Sequence, residues 1–269
     1  MAGNRRGNGS TMSLDRPTSA AQKPSVENEI LLQLPRSEFN AAFAKMELCA
    51  FPSRTILLEP GTPIEHCYFL NKGVASIIHV MTDGRSVEVG LTGREGFVGI
   101  PALVDYETSP VRAVIQIDAS GYKIGVRQFK TVLQSGPVLR KLLSQYSQDL
   151  AVQSIQIAAC NRLHSVDQQL ARWLLMSQDR VGEITFPLTQ EFISHMLGTR
   201  RASVSVAAGI LQKRGLITYT RGQVTVKDRQ GLENASCECY REINKQLEMW
   251  KTPQFGNLNH PIQKMRAKQ

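Results

Sequence analysis

Residues 189–217 read TQEFISHMLGTRRASVSVAAGILQKRGLI, and the spacing of apolar and small residues in this stretch decides the architecture. Thr189 is a helix-capping residue, and the helix it opens carries Ile193, Met196 and Leu197 on one face. Gly198 ends that helix in a turn that needs a residue without Cβ, and a second helix follows with Val204, Ala207, Ala208 and Leu211 inward. In the window from Gln190 to Gly209, small Ser194 is fifth and Gly198 ninth, and apolar side chains stand fourth, eighth, fifteenth and eighteenth. Those are the constrained positions of a helix-turn-helix, in which Ser194 lets the two helices approach closely.

Downstream, two short alternating runs, 216–220 and 223–227, flank Arg221-Gly222 and read as the strands of a wing. At the start of the second helix Thr199, Arg200, Arg201 and Ser203 stand where side chains and backbone N–H groups can meet phosphates and base edges. Thr189, Gln190, Ser205 and Arg221 complete the candidate DNA-binding set.

Charge is distributed in the same sense. The chain has 269 residues and a formal net charge of +9. Residues 29–136 are close to neutral, whereas residues 186–232 hold Arg200, Arg201, Lys213, Arg214, Arg221, Lys227 and Arg229 against only Glu191 and Asp228. A polyanion-binding surface needs such clustering, because each phosphate neutralised by Lys or Arg releases condensed counterions. The alternative for a basic segment is a solvated face.

Residues 1–28, rich in Gly, Asn, Ser, Arg and Pro, are expected to form a flexible tail. A short amphipathic pattern over 29–44 suggests one or two helices split at Pro35. Beyond Phe51, runs rich in β-branched and aromatic residues at 55–58, 67–70, 74–80, 87–91, 111–117 and 122–124 alternate with turn signals, including Pro60-Gly61, Lys72-Gly73 and Asp83-Gly84. Many short strands at near-regular spacing read as an antiparallel roll over 29–136. Gly136-Pro137 then opens a long helical segment, 137–163, with a seam of Leu139, Leu143, Tyr146, Leu150, Gln153, Ile157 and Cys160 in steps of four and three. That seam is either a dimerisation surface or a stripe lying against its own domain, and Gln153 either sets register or marks the stripe's end. Ser165 can cap a new helix, placing a hinge before the head, residues 164–234. Residues 235–269 are a C-terminal helix and tail. The fold class is therefore α+β.

No run of eighteen apolar residues and no apolar block near the N-terminus is present, so a cytoplasmic protein without a membrane span or export signal is expected. Cys49, Cys67, Cys160, Cys237 and Cys239 are expected to be free thiols. Cys237 and Cys239, two apart in an expected helix, would point to different faces, so no metal site is anticipated there. His66 and His79 lack a second ligand at metal spacing. Catalysis has no signature here: there is no His-Glu-x-x-His, nucleophile elbow or pair of carboxylates with a pocket.

From Leu188-Thr189-Gln190-Glu191 through Gly198-Thr199-Arg200-Arg201 to Gly215-Leu216-Ile217, and in domain order over 29–234, the chain resembles the Crp/Fnr superfamily of the cyclic AMP receptor protein and the fumarate-nitrate reduction regulator. The resemblance implies a homodimer joined through the long helix, a palindromic duplex DNA site, Arg201 as leading recognition residue, and RNA polymerase as a partner. Ala202 and Val206 stand where many members carry glutamate and a second arginine. Cyclic-nucleotide-binding members hold ribose with a Gly-Glu pair and the cyclic phosphate with an Arg of the same cassette. The corresponding candidate ligand positions here are Gly99, Ile100, Ala102 and Arg112, with Ile100 in the carboxylate position and no Arg between Gly99 and Arg112. No cofactor is identified, and a cyclic nucleotide is not the expected effector. The iron–sulfur pattern of the family is not matched, since residues 1–48 contain no cysteine. A second reading makes the roll a ligand-binding regulatory module that acts through protein–protein contacts.

Overall fold

The computed structural model describes residues 25–251. Residues 1–24 of the expected tail and 252–269 of the C-terminal segment lie outside the described residues. The N-terminal domain begins earlier than composition suggests. Asn28 is fully buried and caps helix α1 (Glu29–Leu32) by accepting from the Leu31 N–H. Its amide group donates to the carbonyls of Leu70 and Gly96, while Asn71 Oδ1 accepts from the N–H groups of Glu27 and Asn28. Residues 25–28 therefore belong to the folded domain, tied down by satisfied polar groups and by Val26, which packs on the margin of the roll's core. Helix α2 (Arg36–Phe43) starts directly after Pro35, where the break was expected.

Five strands form one antiparallel sheet: β1 (Glu47–Phe51), β2 (Ile56–Leu58), β3 (His66–Val80), β4 (Ser86–Thr92) and β5 (Arg112–Gly125). The order is β1-β5-β3-β4, with β2 also on β5. Asp83-Gly84 closes the β3–β4 hairpin, Gly84 at φ +83. Lys72-Gly73 is not a turn. Gly73, at φ +84, sits in a bulge of β3, where a Cβ would lie 2.4 Å from the Asp118 carbonyl oxygen of β5. The runs at 67–70 and 74–80 are thus one long strand, and 111–117 and 122–124 likewise merge into β5. Strand β1 and helix α4 (Val126–Ser135) occupy positions without expected elements. Short helix α3 (Ile100–Leu103) follows Gly96 and Gly99.

Helix α5 (Pro137–Leu163) carries the heptad stripe, and the stripe is occupied inside the protomer. Leu139, Leu143 and Tyr146 belong to the roll's core with Phe69, Phe97 and Phe129, and Leu150 packs on its margin. Tyr146 rests on Gly96, where a Cβ would meet the ring at 2.0 Å, and its hydroxyl bonds Thr92 Oγ1 at 2.7 Å. Gln153 accepts from the Leu91 N–H at 2.7 Å, covering a backbone donor of the edge strand β4, and Ile157 is buried in the second core. Leu139, Leu143, Tyr146, Gln153 and Ile157 are thus buried against the protomer's own roll and head, and Leu150 partly so, which corrects their expected place on a dimer surface. The period identified a buried face correctly; what covers it is intramolecular.

The helix breaks at His164, and Ser165 opens α6 (Val166–Val181) as N-cap, its N–H donating to Gln168 Oε1 at 3.2 Å. The head follows: β6 (Thr185–Pro187), α7 (Gln190–Met196), α8 (Arg201–Lys213), β7 (Ile217–Thr220) and β8 (Gln223–Val226), its small sheet ordered β6-β8-β7. Helix α9 (Arg229–Ala235) leads into α10 (Cys239–Lys251), which returns along α5, with Gln246 donating to Asp149 and Gln156 to Cys239. A second core built on Leu170, Trp173, Leu174, Ile193, Val204, Leu211 and Val224 fills the head. No helix among the described residues is long and apolar enough to cross a membrane.

Candidate nucleic-acid interface

The helix pair forms where the small and apolar residues require it. Thr189 Oγ1 accepts from the Phe192 N–H at 3.2 Å and so starts α7. Ser194, nearly buried, donates to the Glu191 carbonyl, leaving room for α8. Gly198 adopts φ +60, a left-handed conformation that glycine takes without strain, and the turn abuts the roll, since a Cβ at Gly198 would lie 3.1 Å from Val87 Cγ2. Helix α8 buries Val204, Ala207, Ala208 and Leu211 and turns its other face to solvent.

On that outer side Arg200 and Arg201 are exposed at the helix start, Thr199 and Ser203 are half-buried beside them, and the N-terminal backbone dipole adds positive potential. Arg201 lies near Tyr219, whose phenol is raised by burial against the opposing influence of that charge. Ser205 is exposed and donates to Gln190 Oε1 at 2.7 Å, so these two side chains tie the first helix to the second. Thr189 is exposed, with its hydroxyl engaged in the cap. Arg221 occupies the tip of the β7–β8 wing at φ +49, followed by Gly222 at φ +76. With Thr218, Thr220, Gln223 and Thr225 it lines a shallow hollow rich in hydroxyl donors, a surface suited to phosphate oxygens. Ala202 and Val206, noted above only as departures from the family pattern, and Ile210, not noted at all, lie one turn apart on the exposed face, and Val206 is 65% exposed. An outward apolar row on a surface helix was the signal available for them.

The candidate ligand positions of the roll are differently placed. Arg112 forms a two-pronged ion pair with Glu59, its Nε 2.7 Å from Oε2, and is already matched. Ala102 is buried in the roll's core, and Ile100 offers no polar atom. Gly99, at φ +137, packs against Cys67: a Cβ there would lie 2.6 Å from that sulfur. Gly99 is a close-packed turn, and these four residues do not fit a cyclic nucleotide, having neither a free cation for the phosphate nor a carboxylate for the ribose.

The described cysteines are free thiols, with Cys67 sealed in the roll and its thiol pushed up to about 12 by burial. Cys237 and Cys239 do not point apart. Helix α10 begins at Cys239, Cys237 lies in the turn before it, and both converge on Cys160 and His164. The expectation that the pair faces apart is corrected, and the reason is local: the two residues straddle a helix start.

Two family models match: the Cyclic nucleotide-binding domain over residues 48–135 and the Crp-like helix-turn-helix domain over 168–235. The chain is 25% identical over 183 residues to the global nitrogen regulator of Synechocystis sp., covering 65% of this chain and 81% of that protein. It is 23% identical over 178 residues to the cAMP-activated global transcriptional regulator CRP of Salmonella typhimurium, covering 62% and 83%. The structure of FixK2 from Bradyrhizobium japonicum superposes with a TM-score of 0.61 at 16% identity, over 71% of this chain and 98% of that one. With its antiparallel roll, long helix and winged head in the same order, the chain belongs to the Crp/Fnr family of DNA-binding transcription regulators.

Proposed function

We propose that the chain works as a homodimer that reads a palindromic duplex operator with α8 and grips the flanking backbone with the wing. The observation that carries this reading is the outward, unburied placement of Arg200 and Arg201 at the start of α8, on the same head as Arg221 of the wing. Arg201 is assigned to a guanine edge, which a guanidinium can bond at O6 and N7 together, and Arg200 and Arg221 to phosphates. Ala202 and Val206 present methyl groups suited to thymine C5-methyl contacts instead of the polar readout of many relatives.

The dimer surface is assigned to the face of α5 left open by its own roll. Ser144, Gln148, Ala151, Ile155, Ala158 and Arg162 are spaced by alternating four and three and are all exposed, Ile155 by 69%. Their small and apolar centre suits close helix pairing. The roll acts as the sensor, its effector being other than a cyclic nucleotide bound through the usual phosphate contacts. The head docks on the roll through Glu88, Glu95 and Val87, so a shift of that contact reorients α8. RNA polymerase contact and a cytoplasmic setting are part of the same proposal, supported by the family resemblance alone.

In vitro selection of duplexes by the full-length protein, with and without cell extract, tests this. A two-fold symmetric motif is expected, with binding that weakens steeply as salt rises. Failure to enrich any motif, or full affinity retained by Arg201→Ala, overturns the assignment.

A further inference from the structure

At the hinge between α5 and α6 four potential ligands converge: Cys160, His164, Cys237 and Cys239, whose ligand atoms all lie within 4.8 Å of one another. Cys160 and His164 are four apart at the end of α5 and share a face. Cys237 and Cys239 come from the turn and first residue that open α10. Cys160 Sγ is 3.4 Å from Cys237 Sγ, and Cys239 Sγ is 3.5 Å from His164 Nδ1. A tetrahedral site with metal–sulfur bonds of zinc length has sulfur–sulfur edges of about 3.8 Å, so small adjustments close this group around one ion.

The surroundings are those of a ligand set. His164 Nε2 lies 3.2 Å from Glu238 Oε2, leaving Nδ1 directed at the thiols; a carboxylate on the far nitrogen is what orients a metal-binding imidazole. Gln156 donates to Cys239 Sγ at 3.1 Å, and Gln169 holds the carbonyls of Cys160 and His164. Arg172, 1% exposed, has a buried Nε without a hydrogen-bond partner among the described residues and lies near enough for its charge to act on Cys160. A buried cation is costly unless matched. Three thiolates and one divalent ion leave one negative charge, which Arg172 neutralises.

We propose that Cys160, His164, Cys237 and Cys239 form a Cys3His site for a thiophilic divalent cation of the zinc type. Soft thiolate donors select such an ion over magnesium or calcium. On binding, three thiol protons pass to water, four bonds to the metal form, and neutral His164 keeps its Nε2 proton on Glu238. The ion ties the start of α10 to the end of α5, at the break that precedes α6 and the head. This site stands independently of the operator reading, since its test contains no DNA.

Full-length protein, reduced and freed of metal, is titrated with Co²⁺ alone and then with Zn²⁺. One Co²⁺ per chain is expected, with tetrahedral absorption bands and thiolate charge transfer, displaced stoichiometrically by Zn²⁺. Cys237→Ser loses the signal. His164→Cys, which restores four donors, keeps it with stronger charge transfer. Glu238→Gln, at an exposed residue whose replacement leaves the fold intact, weakens affinity about 10- to 100-fold. Cys49→Ser leaves it unchanged. The site is refuted by binding no tighter than in a variant lacking all four ligands, by binding that Cys237→Ser and Glu238→Gln both leave unaltered, or by protein isolated from cells with a Cys160–Cys237 disulfide and no bound metal. Formation of an iron–sulfur chromophore as the only stable loaded form refutes it as well.

Discussion

Arg180 Nε lies 2.7 Å from Glu95 Oε1 with the two side chains only 4% and 7% exposed, so head and roll are joined by an ion pair inside the protein. Every strong donor of Arg180 is used: Nη1 on the Met176 carbonyl, Nη2 near that of Leu91, while Glu95 also accepts from the Gly93 N–H. Removing one partner leaves a buried charge unmatched. Arg180→Met is expected to destabilise by about 3–5 kcal/mol, and Glu95→Gln combined with Arg180→Met by much less. Denaturant unfolding of both variants checks this; equal losses would show that the two groups do not act as a pair.

Glu88 on β4 meets Trp173 on α6, its Oε1 accepting from the indole N–H at 2.9 Å while Oε2 has no partner. Burial pushes its carboxyl up to about 7, against lesser opposing effects of Ser76, Trp173, Arg172 and Arg180. The folded state therefore holds a proton that the unfolded chain releases near the ordinary value of 4.5. Stability from this group is fully present below 4.5, declines as pH rises, and is gone above about 7. The expected loss is about 3 kcal/mol. Glu88→Gln keeps an acceptor for Trp173 and should flatten the pH dependence of unfolding between those limits. An unchanged slope would assign the effect to another group.

The head was readable because its constraints are local. Thr189, Ser194 and Gly198 each answer to neighbours within one turn or one adjacent helix. The roll was readable as a class and less so in detail. Whether Lys72-Gly73 is a turn or a bulge depends on the Asp118 carbonyl, more than forty residues away. The seam of α5 shows the same limit: period reveals that Leu143 and Tyr146 are buried, and nothing in a period says whether the cover is a partner or Gly96 of the same chain. Cys160 and Cys237 are 77 positions apart, and their meeting depends on the path of α9 and α10. Asn28 could have been suspected only as a capping residue before Glu29.

The two faces of α5 should separate under mutation. Leu143→Ala opens a cavity in the roll's core, where Leu143 is fully buried, and is expected to cost about 2–5 kcal/mol of protomer stability. Ile155→Glu alters an exposed position and should leave protomer unfolding nearly unchanged while shifting the dimer towards monomer in analytical ultracentrifugation. A dimer insensitive to Ile155→Glu would place the pairing surface elsewhere.

Arg201 and Arg221 should differ in the kind of loss they cause. Arg201 stands at the start of the recognition helix, so Arg201→Ala should cost about 1–3 kcal/mol per half-site and relax selection at one G·C pair. Arg221, at the wing tip beside Thr220 and Gln223, should act on phosphate alone. Arg221→Ala is then expected to weaken all duplexes alike and to reduce the salt slope by about 1 for each wing. Val206, with its methyl groups exposed one turn beyond Ala202, predicts a thymine preference that Val206→Ser diminishes without changing the salt slope. Binding measured across a single-base substitution series at several salt concentrations separates these outcomes. A uniform loss for Arg201→Ala would move it from base edge to backbone, and would leave sequence discrimination to the outward row of Ala202, Val206 and Ile210.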